Sequence, residues 1–336
     1  MVRARRVTCE VLYNGVEVGL SKRLKSLSYT DNACGVSDEI SLSFEERDAA
    51  WIRDELKPEK GADLDVTVWF LDWEKNGDIL KYHCGNFTLD DLTYSAPPRQ
   101  CVLKGVSIPA GDGFKCEKLS KTWGNVTLKQ IAEEFRIKYN MKDLFYWGHE
   151  PVIKDVEQSE ESDSAFLNRM CEKQGLSLKV YKLALVIFDK DWYENGSETG
   201  NIMATFQEKD MEDGYTWNTT LDGTYTGGTI SYTSGKKKET IIVTVGAGPR
   251  LLRLDEKVDS EEEANRIVRA RINAENEKAT TVSFGTMGNP NIVATCNIQL
   301  DGMGAMDGRY AVSKVTHTIS GKHTMKIHAY KIFDRL

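Results

Sequence analysis

The sequence predicts a mostly β protein of the α+β class, in which two β-barrels flank a small central α+β insertion. Three observations support this prediction. Apolar and polar residues alternate near both ends of the chain, helical periodicity dominates the middle, and one hairpin pattern occurs at both ends. At roughly 150 residues per domain, the 336 residues suggest about two domains, with three or four small ones possible.

The first domain is predicted to span residues 1–106 and to be mostly β. Apolar residues occupy every second position in 40–44 and 66–70, a period that buries one face of a strand. A single short helix is expected between these two runs, at about 45–56. Pro58 ends that helix, because proline cannot continue the hydrogen-bond ladder.

The central region, predicted at 107–224, mixes helices with strands. Thr127 and Gln130 have the spacing of a capping box, and an apolar stripe of helical period follows them. A second amphipathic helix ends near Gly175, a residue that suits a C-terminal cap. Residues 176–188 then return to strand-like composition, so this region is expected to be the α+β insertion.

The last domain, predicted at 225–336, is again β with one helix. Ser260 and Glu263 form a second capping-box pattern and begin that helix. Alternation and composition predict strands at 229–232, 240–245, 291–300, 310–319 and 324–332.

The two ends of the chain share a hairpin pattern. Residues 25–44 and 314–330 each contain two alternating runs joined by a glycine-containing connection. One interpretation is that amphipathic hairpins simply look alike. The other is that the chain holds two copies of one barrel around the inserted unit.

Composition excludes several classes of protein. Charged residues make up 28% and hydrophobic residues 40%, as in ordinary globular chains. The net charge of −7 argues against a nucleic-acid binder or an anionic-membrane binder. The longest apolar run, Leu183–Phe188, is far shorter than the roughly 20 residues that a spanning helix needs.

The cysteines and the N-terminus indicate a chain made in the cytoplasm. The seven cysteines are widely spaced without a C-x-x-C pair, which argues against a disulfide scaffold or a structural zinc site. They are expected to be reduced, mostly buried residues. No apolar stretch follows the basic N-terminus, so no secretory signal peptide is expected.

The sequence contains no convincing metal or cofactor motif. His317, His323 and His328 are close in sequence, but strand alternation places the last two on opposite faces. His317 is therefore expected to be packed or interfacial. Residues 189–200 resemble a calcium loop, but the ligand spacing fails, and a solvated surface loop is expected. Gly302-Met303-Gly304 lacks the third glycine of a dinucleotide fingerprint.

The sequence predicts no catalytic, cofactor-binding or metal-binding residue. Paired acids such as Asp90-Asp91 are too common among 51 acidic residues to indicate a glycosidase. The basic run Lys236–Lys238 is expected to be a solvated hairpin tip, or else a contact with an acidic partner.

Three segments go beyond composition and periodicity. They are QSEESDSAFLNRMCEKQGL at 158–176, SEEEANRIVRAR at 260–271 and GRYAVSKVTHTISG at 308–321. In order and spacing they resemble segments of the phage late control gene D proteins, the baseplate hubs of contractile tails. The N-terminal third resembles the version found in Gram-positive phages and in phage-tail-like bacteriocins.

The resemblance implies two tube-type barrels per chain and a homotrimer whose six barrels form a ring. Such a ring adapts the sixfold tail tube to a threefold spike. The implied partners are the tube protein on one side, the central spike on the other and the baseplate wedge proteins around it. Neither sequence-specific nucleic acid nor a membrane is an expected partner. The chain would be made in the bacterial cytoplasm and incorporated into the baseplate of a phage or phage-tail-like particle.

Two other functions remain open at this stage. A tail-associated peptidoglycan hydrolase would need convergent carboxylates or a metal triad, and the sequence suggests neither, so the chain is predicted not to be an enzyme. A carbohydrate-binding module would use exposed tryptophans, for which the candidates are Trp69, Trp73, Trp147 and Trp192.

Overall fold

A computed structural model describes most of the chain. The described residues are 4–17, 22–45, 59–73, 75–107, 113–196, 200–233, 240–256, 258 and 260–336. Most of the helix predicted at 45–56 and the Lys236–Lys238 run lie outside these residues. Within them, no helix is both long enough and apolar enough to cross a membrane.

Strands dominate the secondary structure. The strands of the N-terminal third are β1 Arg6–Tyr13, β2 Val16–Glu17, β3 Leu24–Asn32, β4 Glu39–Glu45, β5 Asp63–Leu71, β6 Ile79–Ser95 and β7 Gln100–Val106. The middle of the chain contains β8 Leu119–Thr127, β9 Asp143–Trp147, β10 Val152–Glu161, β11 Leu176–Tyr181, β12 Ala184–Asp189, β13 Ile202–Phe206 and β14 Glu212–Thr219. The remaining strands are β15 Gly227–Thr233, β16 Thr240–Gly246, β17 Leu251–Leu254, β18 Thr280–Met287, β19 Asn297–Leu300, β20 Gly308–Ser320 and β21 Lys322–Lys331. The α-helices are α1 Leu128–Lys138, α2 Asp163–Lys173, α3 Lys190–Asn195 and α4 Glu261–Asn276.

The N-terminal unit consists of β1 to β7. Its strands lie in the order β3-β4-β7-β6-β5-β1-β2, and every neighbouring pair is antiparallel. The predicted alternation at 40–44 and 66–70 is present in β4 and β5, where Leu42, Phe44 and Val66 are completely buried. These side chains belong to one apolar core, which explains why period two marks this region.

The C-terminal unit consists of β13, β14 and β18 to β21. Its strands lie in the order β14-β18-β21-β20-β19-β13. A separate core fills this unit, with Phe284, Tyr310 and Ile327 among its buried members. Both β13 and β14 precede residue 225, so strands of the predicted central region pair with this unit; the domain limits at 106 and 224 stay a prediction.

The two units share one strand order. Lettered a to f along the chain, β1, β3, β4, β5, β6 and β7 match β13, β14, β18, β19, β20 and β21. Both units then have the spatial order b-c-f-e-d-a. All corresponding pairs are antiparallel, except that strand a is antiparallel to d in the first unit and parallel to it in the second. The topology supports the interpretation of two copies of one architecture.

The hairpins that the sequence equates occupy different positions. The hairpin at 314–330 is β20–β21, which is strands e and f of its unit. The hairpin at 25–44 is β3–β4, which is strands b and c. The proposed equivalence of these two hairpins is therefore wrong, because period two reports only which face of a strand is buried.

The central module has its own core, where α1 and α2 pack with Trp123, Phe135 and Phe166. Thr127 caps α1 as predicted: its Oγ1 accepts a hydrogen bond from the Gln130 N–H at 3.2 Å, and the Gln130 side chain accepts from the Thr127 N–H at 2.8 Å. Two small sheets, β8·β10 and β9-β12-β11, complete the module.

A second, smaller insertion interrupts the C-terminal unit between β14 and β18. The strands β15, β16 and β17 form a three-stranded sheet, and α4 packs on it. Ser260 caps α4, because its Oγ accepts a hydrogen bond from the Glu263 N–H at 3.1 Å. Buried Ile230, Val245 and Ile267 belong to this fourth core.

Candidate assembly site

The two units are joined by direct strand pairing. β3 lies antiparallel to β20, with residues 27–32 opposite 314–319. The N–H of Ala33 continues the ladder by donating to the Ser313 carbonyl at 2.9 Å. One sheet of 13 strands therefore runs through both units, and this pairing is called the unit joint below.

Side chains on both faces reinforce the unit joint. On one face, the hydroxyls of Thr30 and Thr316 lie 3.2 Å apart. On the other, the His317 ring stacks on the Tyr29 ring with centroids 6.2 Å apart. His317 is only 3% exposed, in agreement with its prediction as a packed or interfacial residue.

A buried pair of histidines lies beside the unit joint. His317 Nδ1 is 3.0 Å from His323 Nε2, and His317 Nε2 is 3.1 Å from the Ile292 carbonyl. Since a carbonyl only accepts, His317 carries its proton on Nε2, and His323 must donate to Nδ1. Burial lowers the pKa of His317 to about 4 and that of His323 to about 3. Both rings are therefore neutral at neutral pH.

We expect acid to weaken the fold through this histidine pair. Both folded-state pKa values lie below the ordinary 6.5, so the unfolded chain binds more protons between about pH 4 and 6.5. The contribution to stability is complete above pH 6.5 and is lost as the pH falls through that window. Urea denaturation at several pH values gives the free energy of unfolding of the native protein and of His323→Gln. Below pH 6.5, this free energy should depend less steeply on pH in the variant. Equal slopes for the two proteins would contradict this assignment.

Three parts of the chain meet at a buried carboxylate. Asp31 on β3 accepts a hydrogen bond from Lys179 Nζ on β11 of the central module, and another from the Ala294 N–H of the C-terminal unit at 2.8 Å. Lys179 also donates to the Asn32 carbonyl at 2.6 Å and lies 3.5 Å from Asp38. This cluster fixes the central module against both units.

Burial and charge act on the cluster in opposite directions. Burial raises the pKa of Asp38 to about 7, an effect that Lys179 partly offsets. Burial alone would lower the pKa of Lys179, but Asp31 and Asp38 more than offset this, and the pKa rises. Lys179 is therefore protonated at neutral pH, and its removal would leave two carboxyl groups in the interior without a cation.

A second buried ionic cluster holds the central module to the C-terminal end. Arg335 forms a fork with Glu194 of α3, with Nη2–Oε1 at 2.5 Å and Nε–Oε2 at 3.1 Å. Arg335 also donates to Glu277 at 3.0 Å, while Lys190 donates to the second Glu277 oxygen at 2.7 Å. The Tyr330 hydroxyl donates to Glu194.

This cluster corrects the prediction of a solvated loop at 189–200. Residues Lys190–Asn195 form α3, and Glu194 is only 2% exposed. Its backbone carbonyl also accepts hydrogen bonds from Arg309 at 2.6 Å and Asn297 at 2.8 Å. The acidic composition suggested solvent, but its cationic partner Arg335 lies 141 residues away in sequence.

The other motifs considered in the sequence, the glycine segment at 302–304 and the acid pair Asp90-Asp91, do not form a site with each other in the fold. Gly302-Met303-Gly304 precedes β20 in a turn, where the Met303 N–H donates to Asp307 at 2.6 Å. Asp91 pairs with exposed Lys104 at 3.1 Å. Within the part of the chain that the structure describes, no three His, Cys, Asp or Glu side chains are grouped to hold a metal ion.

Four cysteines are buried, namely Cys84, Cys101, Cys171 and Cys296. Burial also raises the pKa of Cys9 and Cys296 to about 12. A raised pKa keeps each side chain in its thiol form, which reacts much more slowly than a thiolate. These side chains therefore act as small packed groups.

We expect all seven thiols to be alkylated after denaturation without reductant, as intact-mass spectrometry would measure. In the native protein, exposed Cys116 should react first, since the buried thiols are shielded. A stoichiometric disulfide in the native protein would contradict this expectation.

Three aromatic rings form an exposed stack on the central module. Phe145 and Trp147 stack at 5.6 Å, and Trp147 and Trp192 stack at 5.8 Å. Each ring is more than 40% exposed. Phe145 and Trp147 also line a cleft of about 610 Å³ between the central module and both units. The other candidate tryptophans, Trp69 and Trp73, are only half-buried strand and turn residues of the N-terminal unit.

The sequence is similar to one protein family and to two phage baseplate hub proteins. The YQBQ-like family matches residues 198–329. The chain is 26% identical over 164 residues to the probable baseplate hub protein of Escherichia phage 186, covering 48% of this chain and 39% of that protein. It is 23% identical over 194 residues to the probable baseplate hub protein of Escherichia phage P2, covering 57% and 47%. The matches thus span less than half of each relative, and they confirm the resemblance to phage baseplate hub proteins.

Solved structures share the fold. A tail protein from Neisseria meningitidis MC58 superposes with a TM-score of 0.71 at 11% identity, over 97% of this chain and 96% of that one. The 43 kDa tail protein of prophage MuSo2 from Shewanella oneidensis gives 0.69 at 14% identity, over 97% and 98%. The predicted mostly β fold class is confirmed: the chain has the fold of phage tail proteins.

Proposed function

We propose that this chain is a structural baseplate hub of a contractile injection particle, either a phage tail or a tail-like bacteriocin. The observation that carries the proposal is the repetition of one strand order in two units that share a continuous sheet. A chain with two equivalent units fills two positions of a ring. Three chains then match a sixfold tube while keeping the threefold symmetry that a spike requires.

The proposed partners are those that the resemblance to baseplate hub proteins implies. The hub is a homotrimer that contacts the tail tube protein on one side, the central spike on the other and wedge proteins around it. It is made in the bacterial cytoplasm and incorporated into the particle. Its role is mechanical rather than enzymatic, and the two buried ionic clusters support that role by holding the central module against both units.

Labelling of purified particles tests the proposed location. An epitope inserted at 234–239, between β15 and β16, should place gold-labelled antibody at the baseplate end of the tail. Labelling along the tube, or absence of the chain from particles, would contradict the proposal. Hydrolysis of purified cell walls by the particle-free chain would instead favour the hydrolase.

The exposed aromatic stack favours one second candidate, a carbohydrate-binding role for the central module. Aromatic faces at this exposure suit the flat faces of sugars. Sedimentation with purified cell wall would test it, using Trp147→Ala and Trp192→Ala against the native chain. Binding lost in both variants would support this role, whereas no binding by the native chain would exclude it.

A further inference from the structure

We propose that neighbouring copies of the chain join by pairing β14 of one copy with the C-terminal half of β6 of the next, in the same antiparallel arrangement as the unit joint. The inference rests on the proposed homotrimer and names its interface. Thr93 would lie opposite Asn218 of the next copy, with Tyr94 opposite Trp217 and Ser95 opposite Thr216.

The unit joint shows how two units meet. It pairs strand b of the N-terminal unit with strand e of the C-terminal unit. Strand d (β19) and strand b of the other unit (β3) pair with the same edge of strand e (β20). Strand d pairs only with residues 308–311 of that edge. The remaining residues, 314–319, are left for strand b of the other unit.

The N-terminal unit has the same half-empty edge. Strand d, β5, pairs with β6 only as far as Thr88. The backbone of residues 61 and 62 then bonds to Leu89. Beyond Leu89, β6 pairs with β7 on its other edge. Among the described residues, no strand pairs with residues Asp91 to Ser95 on the edge of β6 that faces β5.

The bulges set the register on strand e. In each unit, the pairing of e with f skips one residue, which is Asp90 in β6 and Ser313 in β20. Counting onward from this shared irregularity, residues 91–96 correspond to 314–319. Thr93 is thus the counterpart of Thr316.

The ladder sets the register on strand b. Tyr29 and Trp217 are counterparts. In each unit, the paired residues followed across the sheet from strand b through strands c and f lead to the residue just before the bulge on strand e. The first path runs through Ile40 and Gly105 to Leu89, and the second through Val282 and Ala329 to Val312. Asn218 is therefore the counterpart of Thr30.

The side chains at the counterpart positions are chemically matched. The unit joint pairs two hydroxyls, Thr30 with Thr316, and stacks one ring pair. The proposed joint would place the Asn218 amide opposite the Thr93 hydroxyl and the Trp217 ring opposite Tyr94. Polar therefore meets polar on one face, and aromatic meets aromatic on the other.

β14 is an open edge suited to this pairing. In the described part of the chain it pairs with β18 alone, at the end of the 13-stranded sheet. Tyr215 is 42% exposed and Leu221, just beyond the strand, is 70% exposed. An edge strand with exposed apolar residues is a template for another chain. A second copy continues the existing sheet through a joint of the kind already present. The contact is head-to-tail, and in the proposed homotrimer three such contacts close the ring.

Cysteine cross-linking tests the register. The variant Thr93→Cys with Asn218→Cys, in a Cys116→Ser background, replaces residues that are both exposed in the single chain. Directly opposed residues on antiparallel strands have Cα atoms about 4.5–5.5 Å apart, a separation that a disulfide can span. After mild oxidation of assembled particles, we expect most of the chain to run as covalent dimers and trimers on non-reducing gels. Ser95→Cys with Thr216→Cys is a second pair on the same face.

Matched controls define the alternative outcomes. Thr30→Cys with Thr316→Cys is the corresponding pair of the unit joint and should form a disulfide within one chain. Thr93→Cys with Trp217→Cys shifts the register by one residue and should not cross-link, because adjacent side chains point to opposite faces. Cross-linking by Asn218→Cys alone would mean that two β14 strands pair about a twofold axis, and would overturn the inference.

Copy number separates failure of the inference from failure of the proposed function. Three chains per baseplate without either cross-link, while the unit-joint control forms, would overturn the interface and leave the hub intact. Any copy number other than three in a ring would overturn both.

Discussion

Replacing Lys179 by methionine is expected to lower the free energy of unfolding by about 3–5 kcal/mol, the typical cost of leaving a buried charge without its partner. Lys179 Nζ contacts Asp31 and lies 3.5 Å from Asp38, and the side chains of these two acids are only 5% and 1% exposed. The loss should be larger at pH 8 than at pH 5. Burial already raises the pKa of Asp38, and at low pH this carboxyl group takes up a proton and no longer needs the cation.

Urea denaturation at both pH values measures this effect. Lys129→Met is the matched control, because Lys129 pairs with Glu150 at 2.9 Å while both side chains are about half exposed. That control should change stability by less than about 1 kcal/mol. A Lys179→Met variant as stable as the control would mean that the Asp31 cluster does not hold the central module.

Replacing Arg335 by methionine is expected to cost a similar amount, about 3–5 kcal/mol, because Glu194 and Glu277 would lose their shared cation in the interior. The Arg335 and Glu194 side chains are only 9% and 3% exposed. Arg335→Lys should recover part of the loss only, since an ammonium group cannot reproduce the two-pronged contact with Glu194.

Thermal and urea unfolding of the two variants provide the measurement, with Lys278→Met as the control. Lys278 pairs with Glu275 at 3.0 Å but is 70% exposed, so its removal should have little effect. Full recovery of stability in Arg335→Lys would contradict the geometric role of the guanidinium.

The local patterns in the sequence predicted much of the secondary structure. Alternation identified β4 and β5, because burial of one face of a strand needs no information beyond the neighbouring residues. The cap at Thr127 was equally local, since its partner Gln130 is three residues away. The three segments that resemble baseplate hub proteins added the class of protein, which the matched relatives support.

The contacts that hold the modules together could not be read from the sequence. Lys179 lies 148 residues from Asp31, and no periodicity relates them. The acidic residues around Glu194 predict a solvated loop, whereas in the fold its partner Arg335 comes from the C-terminal end of the chain. The correspondence of the two units is likewise a property of strand order, and the hairpin pattern on which the sequence relied matched the wrong strands.

We propose that each chain supplies two equivalent positions of one ring. Electron cryomicroscopy of the assembled baseplate measures this directly, through the number of chains in the hub layer and the placement of their units. We expect three copies whose N-terminal and C-terminal units alternate around the axis as six equivalent sheets. Six copies in one ring, or copies with only one of the two units facing the axis, would contradict it.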